Sequence, residues 1–320
     1  MAKEVSMYDK VRMFLPRCRD MPDISQYLES VGEKTSSTGE ASIYGFVDGL
    51  KVTQFMGGYV VGGSLSRFFY PSNIWPLSHY STKDAIEKLS DCLHLDMSEA
   101  NVTSLEFGTN FIMAKPVRVY LEKLGDMPKK ARVQGNVDTL YYQGIAKTIR
   151  ARQRRVLAFY DKLQDAKSKG LEIPPGFGNA NLLKYELRLN GGLAKQIGVE
   201  EVKASTLSDK AFFKKLLKVW SDEYFTISKH KTMKTEFMAE IKNPKDGFNA
   251  YVARLMSRQG KDDIDEYIRE LKANKVYSNK EYYTRLKNKL KEISSCADFL
   301  STDEDGIELD DCVRNTVINY

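Results

Sequence analysis

The sequence predicts an α+β protein, with a mainly antiparallel sheet that has helices on one face and a helical C-terminal region after it. Two observations predict this class. In the first 200 residues, short runs with the period of a β-strand occur in pairs, and single helical segments separate the pairs. After residue 200, the apolar residues recur with the period of an amphipathic helix. The strands are too unevenly spaced for a doubly wound parallel sheet, and the absence of GxGxxG and P-loop motifs argues against nucleotide binding.

The strands expected in the first half are short, and turn residues bound most of them. They span residues 7–15 (an edge or entry strand), 41–56 (a hairpin around Asp48-Gly49), 57–70, 102–113, 138–143, 155–160 and 182–189. Two helices interrupt them, at residues 81–93 after a Ser-Thr cap and at residues 116–124 with proline in the first turn.

Three helices are expected in the second half, over residues 209–224, 262–273 and 279–293. The last two are joined by a short turn. They could form a DNA-reading helix-turn-helix, or they could pack on each other or on the second subunit of a homodimer. Residues 297–311 contain seven acidic and no basic residues, which predicts a solvated tail. We therefore expect an α+β domain over residues 1–200, a helical accessory region over 201–296 and an acidic tail over 297–320.

The composition is that of a globular protein in the cytoplasm. The apolar and charged fractions, 42% and 29%, are ordinary for such a protein. No apolar run is long enough to span a membrane, and no signal-peptide core follows the N-terminus, so neither a membrane partner nor secretion is expected. The four cysteines are scattered without a CxxC pair, which favours free thiols in a reducing compartment over disulfides or zinc.

Positive charge is concentrated in one stretch of the chain. Residues 129–169 contain eleven Lys/Arg and three Asp/Glu, a net charge of +8, whereas the whole chain carries +6. Such a concentration is typical of a surface that binds a polyanion, although a solvated connection between strands would have the same composition. The candidate phosphate contacts on this stretch and on a later strand are Arg150, Arg152, Arg154, Arg155, Lys184 and Arg188.

Two of the expected strands have a carboxylate at the centre of their polar face. In the strand over residues 102–113, Glu106 lies opposite the apolar face, and Glu186 has the same position in the strand over residues 182–189. Carboxylate oxygens are the ligands of hard divalent cations such as Mg²⁺ or Mn²⁺, and a metal held there would polarise a phosphodiester. A cross-strand salt bridge with Lys184 or Arg188 would also account for each glutamate.

A tyrosine in the basic stretch could attack such a phosphodiester. Tyr160 and Lys162 share one face of the strand that begins at residue 155, and a nearby cation favours the phenolate form that attacks phosphorus. Asp161 points to the other face unless a bulge turns it. By the same logic Tyr141 and Tyr142 are competing nucleophiles, and a packing role for each tyrosine remains open. The three histidines are isolated, so a two-histidine metal site is not expected.

Three blocks of sequence resemble a known family. They are Val102-Thr-Ser-Leu-Glu106-Phe-Gly, Arg154-Arg155-Val-Leu-Ala-Phe-Tyr160-Asp-Lys162, and Leu182-Leu-Lys-Tyr-Glu186-Leu-Arg-Leu followed by Leu193-Ala-Lys-Gln-Ile-Gly198. In this order they resemble the replication initiators of the phage gene II/X family, and they are also similar to plasmid initiators of the replication-trans type. The resemblance covers roughly residues 7–225.

The resemblance implies an enzyme that nicks one strand of a double-stranded origin, stays attached to the 5′ phosphate and later rejoins the strand. It assigns Tyr160 as the nucleophile and Glu106 and Glu186 as the acidic positions. Asp161 departs from the filamentous phage protein, which has an apolar residue there. The implied partners are origin DNA, single-stranded DNA, a host helicase and a single-strand-binding protein. A DNA-binding regulator without enzyme activity and a mobilisation relaxase are the alternatives.

Overall fold

A ten-stranded antiparallel sheet forms the centre of the computed structural model, which describes residues 5–17, 22–37, 39–72, 74–233, 244–259, 263–295, 300–302 and 304–320. Its strands follow the spatial order β2-β3-β4-β5-β1-β6-β10-β9-β8-β7. They are β1 (Tyr8–Pro16), β2 (Glu29–Thr35), β3 (Ala41–Val47), β4 (Leu50–Phe55), β5 (Gly58–Ser64), β6 (Asn101–Met113), β7 (Lys130–Asn136), β8 (Thr139–Gly144), β9 (Arg155–Asp161) and β10 (Asn181–Asn190). A separate two-stranded sheet pairs β11 (Lys231–Met233) with β12 (Leu300–Thr302). The predicted α+β class with an antiparallel sheet is confirmed.

The first strand lies inside the sheet and not at its edge. β1 pairs with β5 on one side and with β6 on the other. The expectation that residues 7–15 form an edge or entry strand was therefore wrong for the edge position, although a strand is present and is the first described strand of the chain. In the pairing of β1 with β6, Tyr8 is opposite Phe107 and Val11 is opposite Leu105. β1 therefore advances three residues where β6 advances two, and it contains a bulge at this point.

The hairpin between β3 and β4 has the predicted turn. Asp48 and Gly49 connect the strands with positive φ angles of 45° and 82°. A two-residue turn with both central residues in this region matches the twist of the flanking strands, and glycine adopts it without a steric penalty.

Eleven helices are found in the described residues. They are α1 (Leu65–Phe69), α2 (His79–Leu93), α3 (Val117–Leu121), α4 (Ile149–Arg152), α5 (Lys162–Ser168), α6 (Leu193–Ile197), α7 (Lys210–Phe225), α8 (Pro244–Gln259), α9 (Asp263–Ala273), α10 (Lys280–Ser295) and α11 (Glu304–Ile318). The apolar sides of α2, α3 and α7 cover one face of the sheet and form the main core with it. Trp220 of α7 is fully buried there and stacks on Tyr185 of β10 with ring centroids 4.7 Å apart.

Only part of the opposite face of the sheet is covered. Leu182 lies on this face, because its neighbour Leu183 belongs to the main core. Leu182 packs instead with Leu163 of α5 and with Ile74. The helix α5 therefore lies on the face opposite the main helical layer, so the expectation of helices on one face alone does not hold for α5. The remaining polar side chains of this face form the candidate site.

The C-terminal region is helical, as expected, and α9 and α10 pack on each other around Ile264, Ile268 and Tyr283. The expectation of a solvated acidic tail was wrong for residues 304–318. These residues form α11, and its Leu309 and Val313 are buried in the main core. Residues 297–299 and 303 of the expected tail lie outside the described part of the chain. The division into three regions at residues 200 and 296 remains a prediction.

Among the described residues, no helix combines the length and apolar composition needed to cross a membrane. Cys92 and Cys312 are free thiols, as expected, whereas Cys18 and Cys296 lie outside the described residues.

Candidate functional site

Three carboxylates meet on the polar face of three adjacent central strands. Asp9 lies on β1, Glu106 on β6 and Glu186 on β10, and one oxygen of each lies within 4.8 Å of the others. Glu106 and Glu186 come together because Gly108 pairs with Glu186 and Arg188 pairs with Glu106 in the register of β6 and β10. The sequence predicted this pair, but it did not predict Asp9.

Asp9 is held in place by hydroxyl groups and by a buried lysine. The hydroxyls of Ser64 and Ser66 donate hydrogen bonds to Asp9 Oδ1 at 2.7 and 2.8 Å, and Lys184 Nζ lies 3.7 Å from Asp9 Oδ2. Burial alone would raise the pKa of Asp9. The charges of Lys184 and Lys162 and the hydrogen bond from Ser64 outweigh this effect and lower the pKa to about 2. Asp9 is therefore a carboxylate at any physiological pH.

Arg188 and Lys10 neutralise the two glutamates. Arg188 donates from Nε to Glu186 Oε1 at 2.7 Å, its Nη2 lies 2.6 Å from the same oxygen, and its Nε is 3.6 Å from Glu106 Oε1. Lys10 Nζ lies 3.0 Å from Glu106 Oε2. Burial and the neighbouring Glu186 raise the pKa of Glu106, whereas Lys10 and Arg188 oppose the rise. The two glutamates therefore repel each other, and cations must compensate the pair.

Tyr160 is in contact with this acidic cluster. Its hydroxyl donates a hydrogen bond to Glu186 Oε2 at 3.1 Å. Burial, followed by the charge of Glu186, raises the pKa of Tyr160 well above its ordinary value, so the phenol is protonated in the free protein. Tyr160 also lines a cleft of about 340 Å³ together with Lys10 and Arg188. A molecule in this cleft would therefore reach both the phenol and the cations.

The two competing tyrosines lie on opposite faces of β8. Tyr142 is fully buried in the main core and donates a hydrogen bond to Gly125 O at 2.6 Å. It cannot reach the acidic cluster, because successive side chains of a strand point to opposite faces. Tyr141 lines the same cleft as Tyr160, and the guanidinium carbon of Arg188 lies 5.5 Å from its ring centroid. Tyr141 thus remains a second hydroxyl in the cleft.

Two lysines have positions that differ from those expected. Lys184 was expected to contact DNA, but it is 0% exposed and faces Asp9. It therefore neutralises the cluster from within and offers no surface for a phosphate. Lys162 was expected to support the phenolate of Tyr160 from the same strand. It is instead the first residue of α5 and is 1% exposed. Burial and the charge of Lys184 lower the pKa of Lys162, whereas the charges of Asp9 and Glu186 oppose this effect.

Asp161 has a structural role at the end of β9. It is the N-cap of α5, and its Oδ1 accepts hydrogen bonds from the backbone N–H groups of Leu163 and Gln164, both at 2.9 Å. Such a cap satisfies amide groups that have no partner inside the helix. The structure thus gives Asp161 a capping role, and Asp161 also lines the cleft of Tyr160.

The arginines of the basic stretch lie at the far end of β9 from Tyr160. Five residue steps separate Arg155 from Tyr160, which corresponds to about 17 Å along the strand. Arg155 pairs with Glu223 of α7, with 2.8 Å between Nε and Oε1. Arg150 and Arg154 are exposed and Arg152 is half-buried, and all three precede β9. Of the six residues expected to contact phosphate, Arg188 is the one that lines the cleft of Tyr160.

The acidic cluster could hold a divalent metal ion. All three donors are carboxylates, the ligands of hard cations such as Mg²⁺ and Mn²⁺. The repulsion that raises the pKa of Glu106 would be relieved by a cation between the glutamates. The side chain of Lys10 is 47% exposed, so it can leave Glu106 towards solvent when another cation enters. The composition and the electrostatics of the three carboxylates therefore fit a metal ion.

Comparison with models of protein families and with curated protein sequences finds no match to this chain.

Proposed function

We propose that the protein is a metal-dependent endonuclease that nicks one strand of DNA through Tyr160 and rejoins it, as in the initiation of rolling-circle replication. The hydrogen bond from the Tyr160 hydroxyl to Glu186 carries this proposal. This hydrogen bond links a hydroxyl group that can attack phosphorus to a carboxylate of the candidate metal site. The sequence resemblance to gene II/X initiators supports the same assignment, since it names Tyr160, Glu106 and Glu186 independently of the geometry.

The chemical step follows from the protonated state of Tyr160. Because its pKa is raised, the phenol has to lose its proton as it attacks. Glu186 Oε2 accepts this proton, the Tyr160 oxygen forms a bond to phosphorus, and the bond from phosphorus to the 3′ oxygen breaks. The 3′ oxygen takes a proton from water. Rejoining reverses the step: the 3′ hydroxyl loses its proton to water as it attacks the phosphotyrosine, the bond from phosphorus to the Tyr160 oxygen breaks, and Glu186 returns the proton to Tyr160.

The cations of the cleft hold the phosphate for this attack. Arg188 and Lys10 both line the cleft beside Tyr160, and each can exchange a glutamate partner for a phosphate oxygen. A divalent cation held by Asp9, Glu106 and Glu186 would supply Lewis-acid polarisation of the phosphate. Lys184 and Lys162 stay buried and keep Asp9 ionised.

Covalent capture tests the proposal. The full chain is incubated with Mn²⁺ and a pool of 3′-labelled single strands with a randomised centre, and label that stays with the protein after denaturation is measured. We expect an adduct with the wild type and none with Tyr160→Phe, because the hydroxyl is the attacking group. Tyr141→Phe, the matched control in the same cleft, should retain it. An adduct with Tyr160→Phe would exclude Tyr160 as the required nucleophile, and loss of the adduct with Tyr141→Phe alone would transfer the role to Tyr141.

A second candidate is a DNA-binding regulator without enzyme activity. The observation that favours it is the pairing of all three carboxylates with cations of the protein itself, since such a cluster is neutralised without a metal. If the wild type forms no adduct and Mn²⁺ does not bind to the full chain in calorimetry, this candidate replaces the endonuclease.

A further inference from the structure

The polar face of the sheet continues beyond the acidic cluster over β1, β5, β4, β3 and β2. The opposite sides of these strands contribute Val52, Tyr59 and Val61 to the main core. On the polar side, Phe14, Tyr44, Phe46 and Phe55 are half-buried and belong to none of the hydrophobic clusters. Four aromatic side chains thus lie on a face of the sheet that the main core does not use.

The strand register arranges these side chains in rows across the sheet. In one row Ser104, Arg12, Gly62, Lys51 and Phe46 are direct neighbours on β6, β1, β5, β4 and β3. This row spans four strand spacings, or about 19 Å. A second row, about 7 Å further along the strands, contains Phe14, Val60, Thr53, Tyr44 and Gly32. Aromatic and cationic side chains therefore lie together on one continuous surface.

Glycine opens a groove between the two cations of the first row. Gly62 lies directly between Arg12 and Lys51, and it has no side chain to fill the space above the sheet. A groove of about 410 Å³ lies here, and Arg12, Lys51 and Gly62 line it. Lys10 and Glu106 line its other end, and Lys10 also lines the cleft of Tyr160. The groove therefore leads from the aromatic rows to the acidic cluster.

The charges of the groove suit a polyanion. Among the described residues, neither Arg12 nor Lys51 pairs with a carboxylate, and the Nζ of Lys51 lies 4.9 Å above the ring centroid of Tyr44. Lys34, on the same face at the outer strand, adds a further exposed cation. Glu29 lies next to Phe46 at the outer edge of the first row, and Glu106 lines the acidic end of the groove. The middle of the surface is therefore positive.

From this arrangement we propose that the aromatic platform, defined by Tyr44, Phe46, Lys51 and Arg12, binds single-stranded DNA next to the phosphate that enters the cleft of Tyr160. Accessible aromatic rings stack on unpaired bases, and cations beside the rings neutralise the backbone. A duplex does not offer the faces of its bases, so the occupant is a single strand. This inference rests on the proposed function for the identity of the nucleic acid as DNA, but binding itself needs neither a metal nor a cut.

Fluorescence anisotropy with a labelled 20-nucleotide poly-dT strand tests the platform on the full chain without divalent metal. Phe46→Ala and Tyr44→Ala should each weaken binding about 5- to 100-fold, because each removes one stacking ring. Tyr80→Ala is the matched control, since Tyr80 is an exposed aromatic on α2 in the opposite layer. If the platform variants bind as tightly as Tyr80→Ala, or if the matching RNA strand or duplex binds more tightly than poly-dT, the proposal is overturned.

The salt dependence of the same titration tests the cations. Lys51→Ala should reduce the slope of log Kd against log salt by about 0.7, the value for one phosphate contact on a single strand. Lys83→Ala removes an exposed lysine on α2 and should leave the slope unchanged. An unchanged slope for Lys51→Ala would mean that Lys51 does not contact the backbone and would overturn the platform as defined.

A measurement on the wild type tests the platform without depending on whether the variants fold. Photocrosslinking with a bromodeoxyuridine-substituted strand should give peptides that contain Tyr44 or Phe46, and crosslinks confined to other parts of the chain would overturn the proposal. The two proposals can fail separately. Loss of affinity in the platform variants without any covalent adduct would leave the platform and remove the endonuclease. A covalent adduct together with unchanged affinity in the platform variants would leave the endonuclease and remove the platform.

Discussion

The Asp9→Asn variant keeps the size of a side chain at the centre of the cluster and removes its charge. Lys184 and Lys162 are 0% and 1% exposed, so both would lose their nearest buried counter-charge. Breaking a buried ion pair from one side costs about 3–5 kcal/mol. The pKa of Asp9, about 2 in place of 3.8, separately indicates that folding favours its ionised form by about 2 kcal/mol. We therefore expect the free energy of unfolding to fall by about 2–5 kcal/mol.

Urea unfolding at pH 7, followed by tryptophan fluorescence, measures this loss, because Trp220 lies in the main core. The control is the double variant Asp9→Asn/Lys184→Met, which also removes the stranded charge and should recover more than half of the loss. The pH dependence has a definite sign. Since the folded-state pKa of Asp9 is lowered, its contribution is fully present above pH 3.8 and disappears as the pH falls through about 2. Wild type and Asp9→Asn should therefore converge in acid.

Two results would refute the reasoning about Asp9. A loss below about 1 kcal/mol would mean that Lys184 does not depend on this carboxylate. A double variant no more stable than the single one would mean that the damage comes from Ser64 and Ser66, which also bind Asp9.

Two further predictions concern the metal and the cap of α5. Because the pKa of Glu106 is raised, protons compete with a metal for it, so Mn²⁺ affinity measured by calorimetry should rise with pH until Glu106 is ionised and should become less pH-dependent in Glu106→Gln. An affinity independent of pH would contradict this role. Asp161→Ala removes the cap of α5 and should lower the free energy of unfolding by about 1 kcal/mol without changing Mn²⁺ affinity. A large loss of Mn²⁺ binding in this variant would instead make Asp161 a ligand.

The glutamates could be placed from sequence because an ordinary strand alternates its faces. Glu106 and Glu186 each stand opposite an apolar set, and the register of β6 with β10 brings them together. Asp9 could not be placed in this way. The bulge between Tyr8 and Val11 shifts the alternation, and a single aspartate in a strand gives no signal of its own.

Lys184, β2 and α11 were predicted incorrectly or missed because the local composition of each is a poor guide to its position in the fold. Lys184 was expected at the surface because lysine is almost never fully buried, and its position is explained only by a carboxylate 175 residues away in the sequence. β2, with the sequence ESVGEKT, is an outer strand with mostly exposed side chains, so it lacks the apolar alternation that identifies a strand. In α11 the acidic composition outweighed the apolar pair Leu309 and Val313, whose spacing of four residues places both on one face.

The position of β1 within the sheet has a consequence for how the protein assembles. β1 is the only strand of the described sheet that joins the meander β2–β5 to the group of β6 to β10. Asp9 must therefore meet partners about 100 and 180 residues later in the chain before the acidic cluster exists. Closing such long loops is slow, since their entropy is lost before the contacts form. A nascent chain would thus carry Tyr160 before its partner Glu186, and the acidic cluster would be complete only after synthesis had passed β10.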